Sequence, residues 1–485
     1  MEKIEVIRRT NVGSRIAENE KEGLNKYFQK TYLWDQILSE DIDIVFGCKG
    51  SGKSAIYNFL SNQTDEIFEK NGILAFAENP RGAVAFKDLN ITPPTSQAEF
   101  KHIWKLYFIL VITQKLQEFS YNDRHMKIVI EKLQDSNLLA RRTSLTSLVK
   151  MARDFVRNAS IEPNLSFSET NGMVTNAGIK ISLNEPSTTM ADKGVVSVDY
   201  LFECLNLSLE KNGFKIWVAI DRLDAVFQDN FQLEANALKT LFQVYIDLMG
   251  YSNIRLLIFF RDDIWNRIID NGFREASHLT KKELITWDEG SLFHLIISRL
   301  IQNDALLDYV GIKKENLENI EQKQNFFDKI FQKETKKNGV IDFKWIIDKI
   351  EDGKRNTSPR ELIHLINIAF KQEIKRILER GSGSKDYLIT EDSLWKALRE
   401  VSKTKLETIL SEYPDLKIFI NRLKGKKISS SFEELRRYWG ISKKDTKIIA
   451  DNLIKIGVLY NKYENQIDKN DLYTIPKLYR SALGY

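Results

Sequence analysis

The chain has 485 residues, 42% hydrophobic and 29% charged, a composition typical of a globular protein with two to four domains. Its two cysteines, Cys48 and Cys204, give neither a disulfide framework nor a metal-ligand spacing, so we expect a reducing, cytoplasmic environment. Since no stretch approaches the roughly 20 apolar residues of a membrane-spanning helix, we also expect no membrane association.

The net charge of +5 is unevenly distributed. Residues 421–485 contain 14 Lys and Arg against 7 Asp and Glu, so this segment carries +7 and the preceding 420 residues sum to −2. A basic segment of this kind indicates either an anionic partner or the solvated face of a small helical module. The composition leaves both interpretations open.

The first part of the chain alternates helical and strand patterns. Residues 13–38 have the pattern of a polar, partly amphipathic helix, and the apolar run Asp43–Phe46 has that of a strand buried on both faces. A helix is predicted over Ser54–Leu60, a second strand over Gly72–Phe76, and an apolar-rich helix over Phe100–Phe119.

Residues 120–198 interrupt this alternation, and we interpret them as an insertion into the core domain. Within them, Leu165–Glu169 and Gly178–Leu183 alternate apolar and polar residues on either side of Asn171-Gly172. This pattern predicts a β-hairpin.

The alternation then resumes and predicts the helices and strands Tyr200–Lys211, Ile216–Ile220, Phe231–Leu248 and Ile254–Phe260 in that order. Strands that alternate with helices indicate an α/β fold with a parallel sheet. Beyond Trp287, helical patterns cover residues 291–301, 324–350 and 359–380, and the sequence Gly381–Ser384 predicts a flexible break.

The segment Gly47–Ser54, GCKGSGKS, matches the phosphate-binding pattern G-x-x-x-x-G-K-[ST] at every fixed position. Such a loop binds phosphates through inward-pointing N–H groups and the N-terminus of the next helix. We expect Lys53 to contact the β- and γ-phosphates and Ser54 to bind Mg²⁺. The predicted ligands of ATP in this loop are Gly47, Cys48, Lys49, Gly50, Ser51, Gly52, Lys53 and Ser54.

The strand Ile216–Ile220 ends in the sequence Asp221-Arg222-Leu223-Asp224, which has the pattern of a Walker B segment. We predict that Asp221 binds Mg²⁺. Arg222 stands where many ATPases carry a catalytic glutamate, so we assign activation of the attacking water to Asp224. The alternative for Asp224 is a charge that stabilises a helix N-terminus.

Arg261 directly follows the strand Ile254–Phe260. We predict that this strand lies beside Ile216–Ile220, because consecutive strands in such sheets tend to be neighbours. Arg261 could then contact the γ-phosphate of its own subunit, or act across a subunit interface as an arginine finger. The alternative is an ion pair with Asp262 or Asp263.

Near the end of the chain, the patterns predict helices over Phe432–Trp439 and Lys443–Ile456, followed by strands around Val458–Tyr460 and Leu472–Ile475. This is the order of a winged helix, and Lys443, Lys444 and Lys447 lie at the start of its second helix. That helix could contact nucleic acid, or the unit could pack on the ATPase core.

These features, taken together in chain order, resemble the STAND and KAP branches of the AAA-like P-loop ATPases, which are common in bacterial antiviral systems. The matching features are Gly47–Ser54, Asp221–Asp224, Arg261, Trp287 with Leu292 and Arg299, Pro359–Leu362 and Tyr473–Tyr479. The resemblance covers most of the chain except residues 120–198. It implies that Pro359 and Arg360 belong to a lid that contacts adenine and the γ-phosphate.

The resemblance also implies a domain order. We divide the chain into a P-loop ATPase core over residues 1–285, a helical lid over 286–385, a helical connector over 386–423 and a winged-helix-like domain over 424–485.

The leading functional expectation is a Mg²⁺-dependent regulatory ATPase that forms homo-oligomers and controls a separately encoded effector protein in bacterial antiviral defence. Two alternatives stay open: a DNA-acting loader or motor, and a nucleotide-gated scaffold that hardly turns ATP over, which the replacement of a catalytic acid by Arg222 would explain.

Overall fold

A computed structural model describes residues 1–16, 19–20, 23–79, 86, 94, 96–139, 144–161, 180–223, 231–270, 272–334, 339–381, 387–462 and 471–485. Two units can be distinguished in it. The sheet unit comprises Lys30–Cys48 and Lys53–Ile285, and the helical unit comprises Met1–Gln29, Lys49–Gly52 and Thr286–Tyr485.

The strands are β1 (Ile44–Gly47), β2 (Gly72–Phe76), β3 (Ile181–Ser182), β4 (Val196–Ser197), β5 (Lys215–Ile220), β6 (Ile254–Arg261), β7 (Lys282–Leu284), β8 (Ser429–Ser431), β9 (Tyr460–Asn461) and β10 (Leu472–Thr474).

The helices of the first half are α1 (Lys3–Arg9), α2 (Leu24–Tyr27), α3 (Tyr32–Leu38), α4 (Lys53–Leu60), α5 (Thr64–Glu69), α6 (Gln97–Glu118), α7 (Arg124–Asp135), α8 (Leu145–Ile161), α9 (Thr188–Asp192), α10 (Val198–Asn212), α11 (Phe231–Leu248) and α12 (Asp262–Asp270). Those of the second half are α13 (Glu289–Leu300), α14 (Asp304–Val310), α15 (Ile320–Ile330), α16 (Phe343–Ile350), α17 (Pro359–Arg380), α18 (Glu391–Glu412), α19 (Lys417–Asn421), α20 (Phe432–Trp439), α21 (Lys443–Lys455) and α22 (Lys477–Arg480).

The sheet unit is built on a five-stranded sheet in the order β2-β5-β6-β1-β7, and its paired strands are parallel. The predicted neighbourhood of β5 and β6 is confirmed, because Ile216 pairs with Ile254 and Ile220 with Ile258. All five strands therefore end at the same edge, where open α/β sheets bind their ligands.

Apolar side chains from the sheet and from α6 and α11 form one core. Ile44, Val45 and Phe46 of β1 are all buried, as expected for a strand covered on both faces. A buried ion pair fixes the entry into β1: Arg255 Nε donates to Asp43 Oδ1 at 2.6 Å. Because a buried charge is costly unless paired, this contact ties β6 to the residue before β1.

The helical unit holds a second core, which runs from α1 through α13–α18 to the C-terminal elements. Its last part contains α20, α21 and an antiparallel sheet in the order β8-β10-β9, so the C-terminal residues are winged-helix-like. With the P-loop between β1 and α4, the predicted fold class is confirmed: a P-loop NTPase parallel-sheet core with helical and C-terminal winged-helix-like parts.

Three local predictions are corrected. Residues 13–38 do not form one helix, because the described part of this stretch contains only α2 and α3 with non-helical backbone between them. The pattern over 324–350 is split into α15 and α16, and the apolar residues between them, Phe331 and Ile341, are buried without being helical. β6 continues one residue further than predicted and includes Arg261.

The predicted β-hairpin in the insertion lies mostly outside the described residues. The described end of its second half, Ile181–Ser182, pairs in parallel with Val196–Ser197. The division of the chain into four domains stays a prediction. Within the described residues, no helix is both long and apolar enough to cross a bilayer.

Candidate functional site: the P-loop and the strand tips

The loop Gly47–Ser54 connects β1 to α4, as the motif predicts. Gly50 and Gly52 have φ angles of +90° and +109°, which side chains with a Cβ rarely adopt. The glycines therefore allow the backbone to turn from the strand into the helix. Helix α4 begins at Lys53, so its N-terminus and the N–H groups of the loop can bind an anion together.

Lys53 is held inside the first part of the loop. Its Nζ donates to the carbonyl oxygens of Gly47 at 2.7 Å and Cys48 at 3.0 Å, and the residue is only 9% exposed. This places a positive charge at the carboxyl end of β1, where phosphates of a bound nucleotide would lie. The side chain predicted to contact the phosphates is thus positioned by the loop itself.

Ser54 and Asp221 meet across the sheet edge. The Ser54 hydroxyl donates to Asp221 Oδ2 at 2.8 Å, and Asp221 is 3% exposed. These residues are 167 positions apart in sequence, and they are brought together because β1 and β5 are parallel strands that end at the same edge. A hydroxyl and a carboxylate are the hard oxygen ligands that Mg²⁺ prefers, usually alongside phosphate oxygens and water. The pair fits the predicted metal.

The residue after Asp221 is held in an unusual backbone conformation. Arg222 has φ = +63°, which is uncommon for a residue with a Cβ and is maintained only when the surroundings impose it. The chain therefore turns sharply as soon as β5 ends. Asp224, the residue predicted to activate water, lies outside the described residues, and its role stays a prediction.

Arg261 lies at the end of β6 with its backbone in register with Gly47 of β1. Its guanidinium forms two hydrogen bonds to Asp263, Nε to Oδ1 at 2.9 Å and Nη2 to Oδ2 at 2.8 Å. The side chain is 14% exposed. The structure thus shows an ion pair between Arg261 and Asp263, which was the alternative prediction. The backbone of Arg261 nevertheless lies beside the first residue of the P-loop.

Sequence reasoning missed Glu78, which lies two residues beyond the end of β2 and is 0% exposed. Its Oε1 accepts a hydrogen bond from Asn79 N at 2.7 Å, and its carbonyl oxygen accepts one from the Tyr57 hydroxyl at 2.5 Å. Burial raises the pKa of Tyr57 well above its usual value, and the nearby carboxylates of Asp221 and Glu78 raise it further. Its signal in the sequence was an acid two residues beyond an apolar strand, which is weaker than the Walker B pattern that identified Asp221.

In the helical unit, the tip of the P-loop contacts the start of α17. A Cβ added to Gly50 would lie 2.8 Å from Arg360 Cβ and 3.0 Å from Ser358 Oγ. Trp287 Nε1 donates to Ser51 O at 2.7 Å. The helix start predicted around Pro359 therefore lies at the tip of the loop, and the lid role of Pro359 and Arg360 stays a prediction.

Several polar atoms around this contact are buried and lack a hydrogen-bond partner within the described part of the chain: Ser51 Oγ, Thr357 Oγ1 and Arg360 Nε. Buried polar atoms in proteins are nearly always satisfied by protein, water or ligand. All three can donate, and oxygens of a phosphate group accept. The residues present therefore fit a bound nucleoside triphosphate.

A further ion pair involves the loop tip. Lys49 Nζ contacts Glu412 Oε1 near the end of α18. The same helix carries Lys405, whose Nζ contacts Glu361 Oε1 at 3.0 Å in the first turn of α17. Helix α18 thus makes ionic contacts with both the loop tip and the start of α17. The side chain of Lys49 therefore pairs with a glutamate of α18.

Comparison with known proteins gives similarity to solved structures only. No protein-family model matches the chain, and no curated protein matches its sequence. A Walker-type ATPase of Pyrococcus abyssi is 11% identical, with 99% of each chain covered and a TM-score of 0.38. The Aeropyrum pernix ORC1 protein, in complex with DNA, is 7% identical over 96% of this chain and 95% of that chain, with a TM-score of 0.36. The Aeropyrum pernix ORC2 protein, in ADPNP-ADP complexes, is 12% identical over 91% and 86%, with a TM-score of 0.30. These scores are low, so the fold assignment rests on the sheet topology and the P-loop.

Proposed function

We propose that this protein binds ATP together with Mg²⁺ and hydrolyses it. The observation that carries the proposal is the pairing of Ser54 with Asp221 at the carboxyl edge of a parallel sheet, next to a P-loop whose Lys53 points into the loop. A hydroxyl, a carboxylate and a lysine in this arrangement form a site for Mg²⁺ and phosphate, and few other ligands would use all three.

Each residue has a distinct role in this proposal. The N–H groups of the P-loop and Lys53 bind the phosphates, while Ser54 and Asp221 hold Mg²⁺, which neutralises phosphate charge when bound. Arg360 and Pro359, next to the loop tip, contribute to the lid. Arg261 stabilises charge on the γ-phosphate, and Asp224 is the acid that the sequence offers for orienting the attacking water.

The finer proposal is that the protein is a regulatory ATPase of the STAND or KAP type. It would act in the cytoplasm as a homo-oligomer and control a separately encoded effector protein in bacterial antiviral defence. The resemblance of the motifs, in their order along the chain, supports this proposal. Arg222 in place of a catalytic acid supports slow turnover, which suits a switch better than a motor.

The proposal is tested by measuring ATP hydrolysis and particle mass in the same samples. Mass is measured by light scattering with no nucleotide, with ATP and with ADP, using wild-type protein and Lys53→Ala. We expect hydrolysis and an ATP-dependent increase in mass in the wild type, and neither in the variant. Hydrolysis without any change in mass would leave an ATPase but contradict assembly as its means of control.

A second candidate function is contact with DNA through the winged-helix-like part. Lys443, Lys444 and Lys447 are exposed in the first turns of α21, the helix that reads DNA in proteins of this architecture. Their exposure within the helical unit favours this candidate, because it leaves three ammonium groups accessible to the phosphates of a nucleic acid. Stimulation of ATP hydrolysis by duplex DNA would distinguish the DNA-acting ATPase from the regulator.

A further inference from the structure

Glu78 and Asp221 occupy equivalent positions on neighbouring strands. In the register of β2 and β5, Phe76 is the partner of Ala219, and Ala77 N donates to Ala219 O at 2.8 Å. Glu78 lies two residues after Phe76, and Asp221 lies two residues after Ala219. Neighbouring strands lie about 4.8 Å apart, so the two acids emerge side by side at the edge where the ligand binds.

The helix that follows the P-loop fixes both strand tips. Tyr57 of α4 donates its hydroxyl to Glu78 O at 2.5 Å and lies 3.4 Å from Ala219 O. Tyr57 stands one helical turn after Lys53 and Ser54, so it lies on the same short helix as the residues that bind phosphate and Mg²⁺ in the proposed function. A second tyrosine, Tyr107 of α6, donates to Ala77 O at 2.5 Å. The backbone that carries Glu78 is therefore rigidly positioned.

Glu78 is a buried acid whose carboxylate is held in place. The residue is 0% exposed, and a carboxylate is costly to remove from water unless its surroundings compensate. The hydrogen bond from Asn79 N holds the carboxylate in place. Buried, positioned acids at ligand-binding edges are a typical feature of catalytic sites.

The Walker B segment lacks an acid at the position where one would act on the water. Arg222 occupies it, and its backbone at φ = +63° turns the chain away from the line of β5. In the sheet order β2-β5-β6-β1-β7, β5 lies between β6 and β2, so β2 is the neighbour of β5 on the side away from the P-loop. Its tip supplies an acid, Glu78, at the same level of the sheet edge.

We propose that Glu78 is the catalytic residue that orients and deprotonates the attacking water. This rests on the proposed ATPase function and assigns to Glu78 the step for which the sequence alone offers Asp224. In the step, the water oxygen forms a bond to the γ-phosphorus while the bond from that phosphorus to the bridging oxygen breaks. The water proton passes to the Glu78 carboxylate, the bridging oxygen leaves with the electron pair on ADP, and inorganic phosphate is the second product.

The test is Glu78→Gln in the full chain, which keeps the size and the hydrogen-bonding capacity of the side chain but cannot accept the proton. We expect turnover to fall at least about 100-fold, the usual contribution of a general base. Affinity for the non-hydrolysed analogue ADPNP should stay within about threefold of wild type, a change of less than 1 kcal/mol. After incubation with ATP and Mg²⁺, the nucleotide retained on the variant should be ATP, whereas the wild type retains ADP.

Two further variants make the result specific. Glu99→Gln removes another buried glutamate of the sheet unit, on α6, and should leave turnover and ADPNP affinity unchanged. If Glu78→Gln is too unstable to purify, Glu78→Asp keeps the acid but withdraws it by one methylene, and should still lower turnover about tenfold or more with ADPNP affinity retained.

The outcomes separate this proposal from the function on which it rests. Full turnover in Glu78→Gln, or loss of turnover in Asp224→Asn alone, would overturn the role of Glu78 and leave the ATPase standing. Loss of ADPNP binding in Glu78→Gln would make Glu78 a structural residue and overturn the proposal equally. A wild-type protein that binds ADPNP but never hydrolyses ATP would overturn the ATPase function itself.

Discussion

At the scale of single residues, Lys53 has the most direct role. Its Nζ donates to two carbonyl oxygens of the loop, so the charge is held ready for phosphate oxygens. We expect Lys53→Ala to weaken ATP binding by at least about tenfold, because a hydrogen bond to a charged group contributes about 1.5–3 kcal/mol. Titration with a fluorescent ATP analogue measures this.

Lys49→Ala is the matched control in the same loop. The Lys49 side chain contacts Glu412, so its removal leaves the N–H groups and the Lys53 ammonium in place, and most of the ATP affinity should remain. Equal affinity in Lys53→Ala and wild type would refute the P-loop assignment.

Asp221 gives a prediction about metal dependence. Asp221→Asn keeps the shape of the side chain and a hydrogen bond to Ser54, but removes the negative charge that would attract Mg²⁺. We therefore expect wild-type protein to bind ATP more weakly when Mg²⁺ is removed with a chelator. The variant should bind it equally weakly with and without Mg²⁺. A variant that still gains affinity from Mg²⁺ would place the metal on other residues.

Arg261 gives a prediction that distinguishes two roles. If it stabilises charge on the γ-phosphate, Arg261→Ala should lower ATP hydrolysis about 100-fold with little effect on ATP binding. If its role is only to pair with Asp263, then Asp263→Ala should have the same effect, since the bidentate contact is lost in both. We expect Asp263→Ala to keep most of the hydrolysis rate, measured as phosphate release at saturating ATP.

Several residues of the candidate site could be predicted from the sequence, but not all of the contacts that they make. Ser54 and Asp221 were predictable because each ends a recognisable motif, and their contact follows from the parallel sheet. The ion pair of Arg261 with Asp263 was one of three possibilities left open, since a strand pattern does not determine the direction of the side chain that follows it. Glu78 was missed because a lone acid after a strand matches no motif, and its burial appears only in three dimensions.

At the scale of elements, the P-loop depends on backbone angles that glycine provides. A side chain on Gly50 must adopt φ = +90° and would also approach Arg360 Cβ to 2.8 Å. We expect Gly50→Ala to lower the free energy of unfolding by about 1–3 kcal/mol, the cost of a strained backbone position, and to weaken ATP binding. Thermal or urea unfolding, together with ATP titration, measures both effects.

Gly290→Ala is the control for this prediction. Gly290 lies in the first turn of α13, and an added Cβ would have an ordinary contact of 3.5 Å with Asp288 Oδ1. Alanine also has the higher helix propensity, so we expect unchanged or slightly increased stability. If Gly50→Ala behaves like Gly290→Ala, the loop does not require glycine at position 50.

Helices and strands were predicted most accurately where the sequence pattern was long and clearly bounded. The strands β5 and β6 and helix α11 were predicted within one or two residues, because their apolar runs are long and bounded by polar residues. The pattern over 324–350 failed because Phe331 and Ile341 are apolar and buried, like the residues of a helix face, although neither is helical. Apolar periodicity reports burial, and burial alone does not fix the backbone conformation.

At the scale of the whole molecule, charge is separated along the chain. Residues 421–485 carry a balance of +7, while the remainder sums to −2. Two of the lysines of α21 are paired with acids of the same segment, since Lys447 contacts Asp451 at 3.0 Å and Lys443 lies 3.7 Å from Glu433. Exposed pairs of this kind contribute little to stability, so a stronger anion such as a DNA phosphate can replace the carboxylates.

The last prediction tests whether the basic segment binds DNA through α21. Replacing Lys443, Lys444 and Lys447 together by Ala should weaken binding to duplex DNA and reduce the steepness of its salt dependence. Each lost phosphate contact lowers the slope of log affinity against log salt by about 0.9, so three contacts predict a decrease of about 2.7. Fluorescence anisotropy of labelled DNA between low and physiological salt measures the slope.

A control variant removes the same net charge from other exposed lysines of the helical unit, namely Lys313, Lys314 and Lys403. If both variants lower the slope equally, the protein binds DNA through its overall charge and α21 has no special role. If neither binds DNA differently from wild type, the basic segment serves another contact.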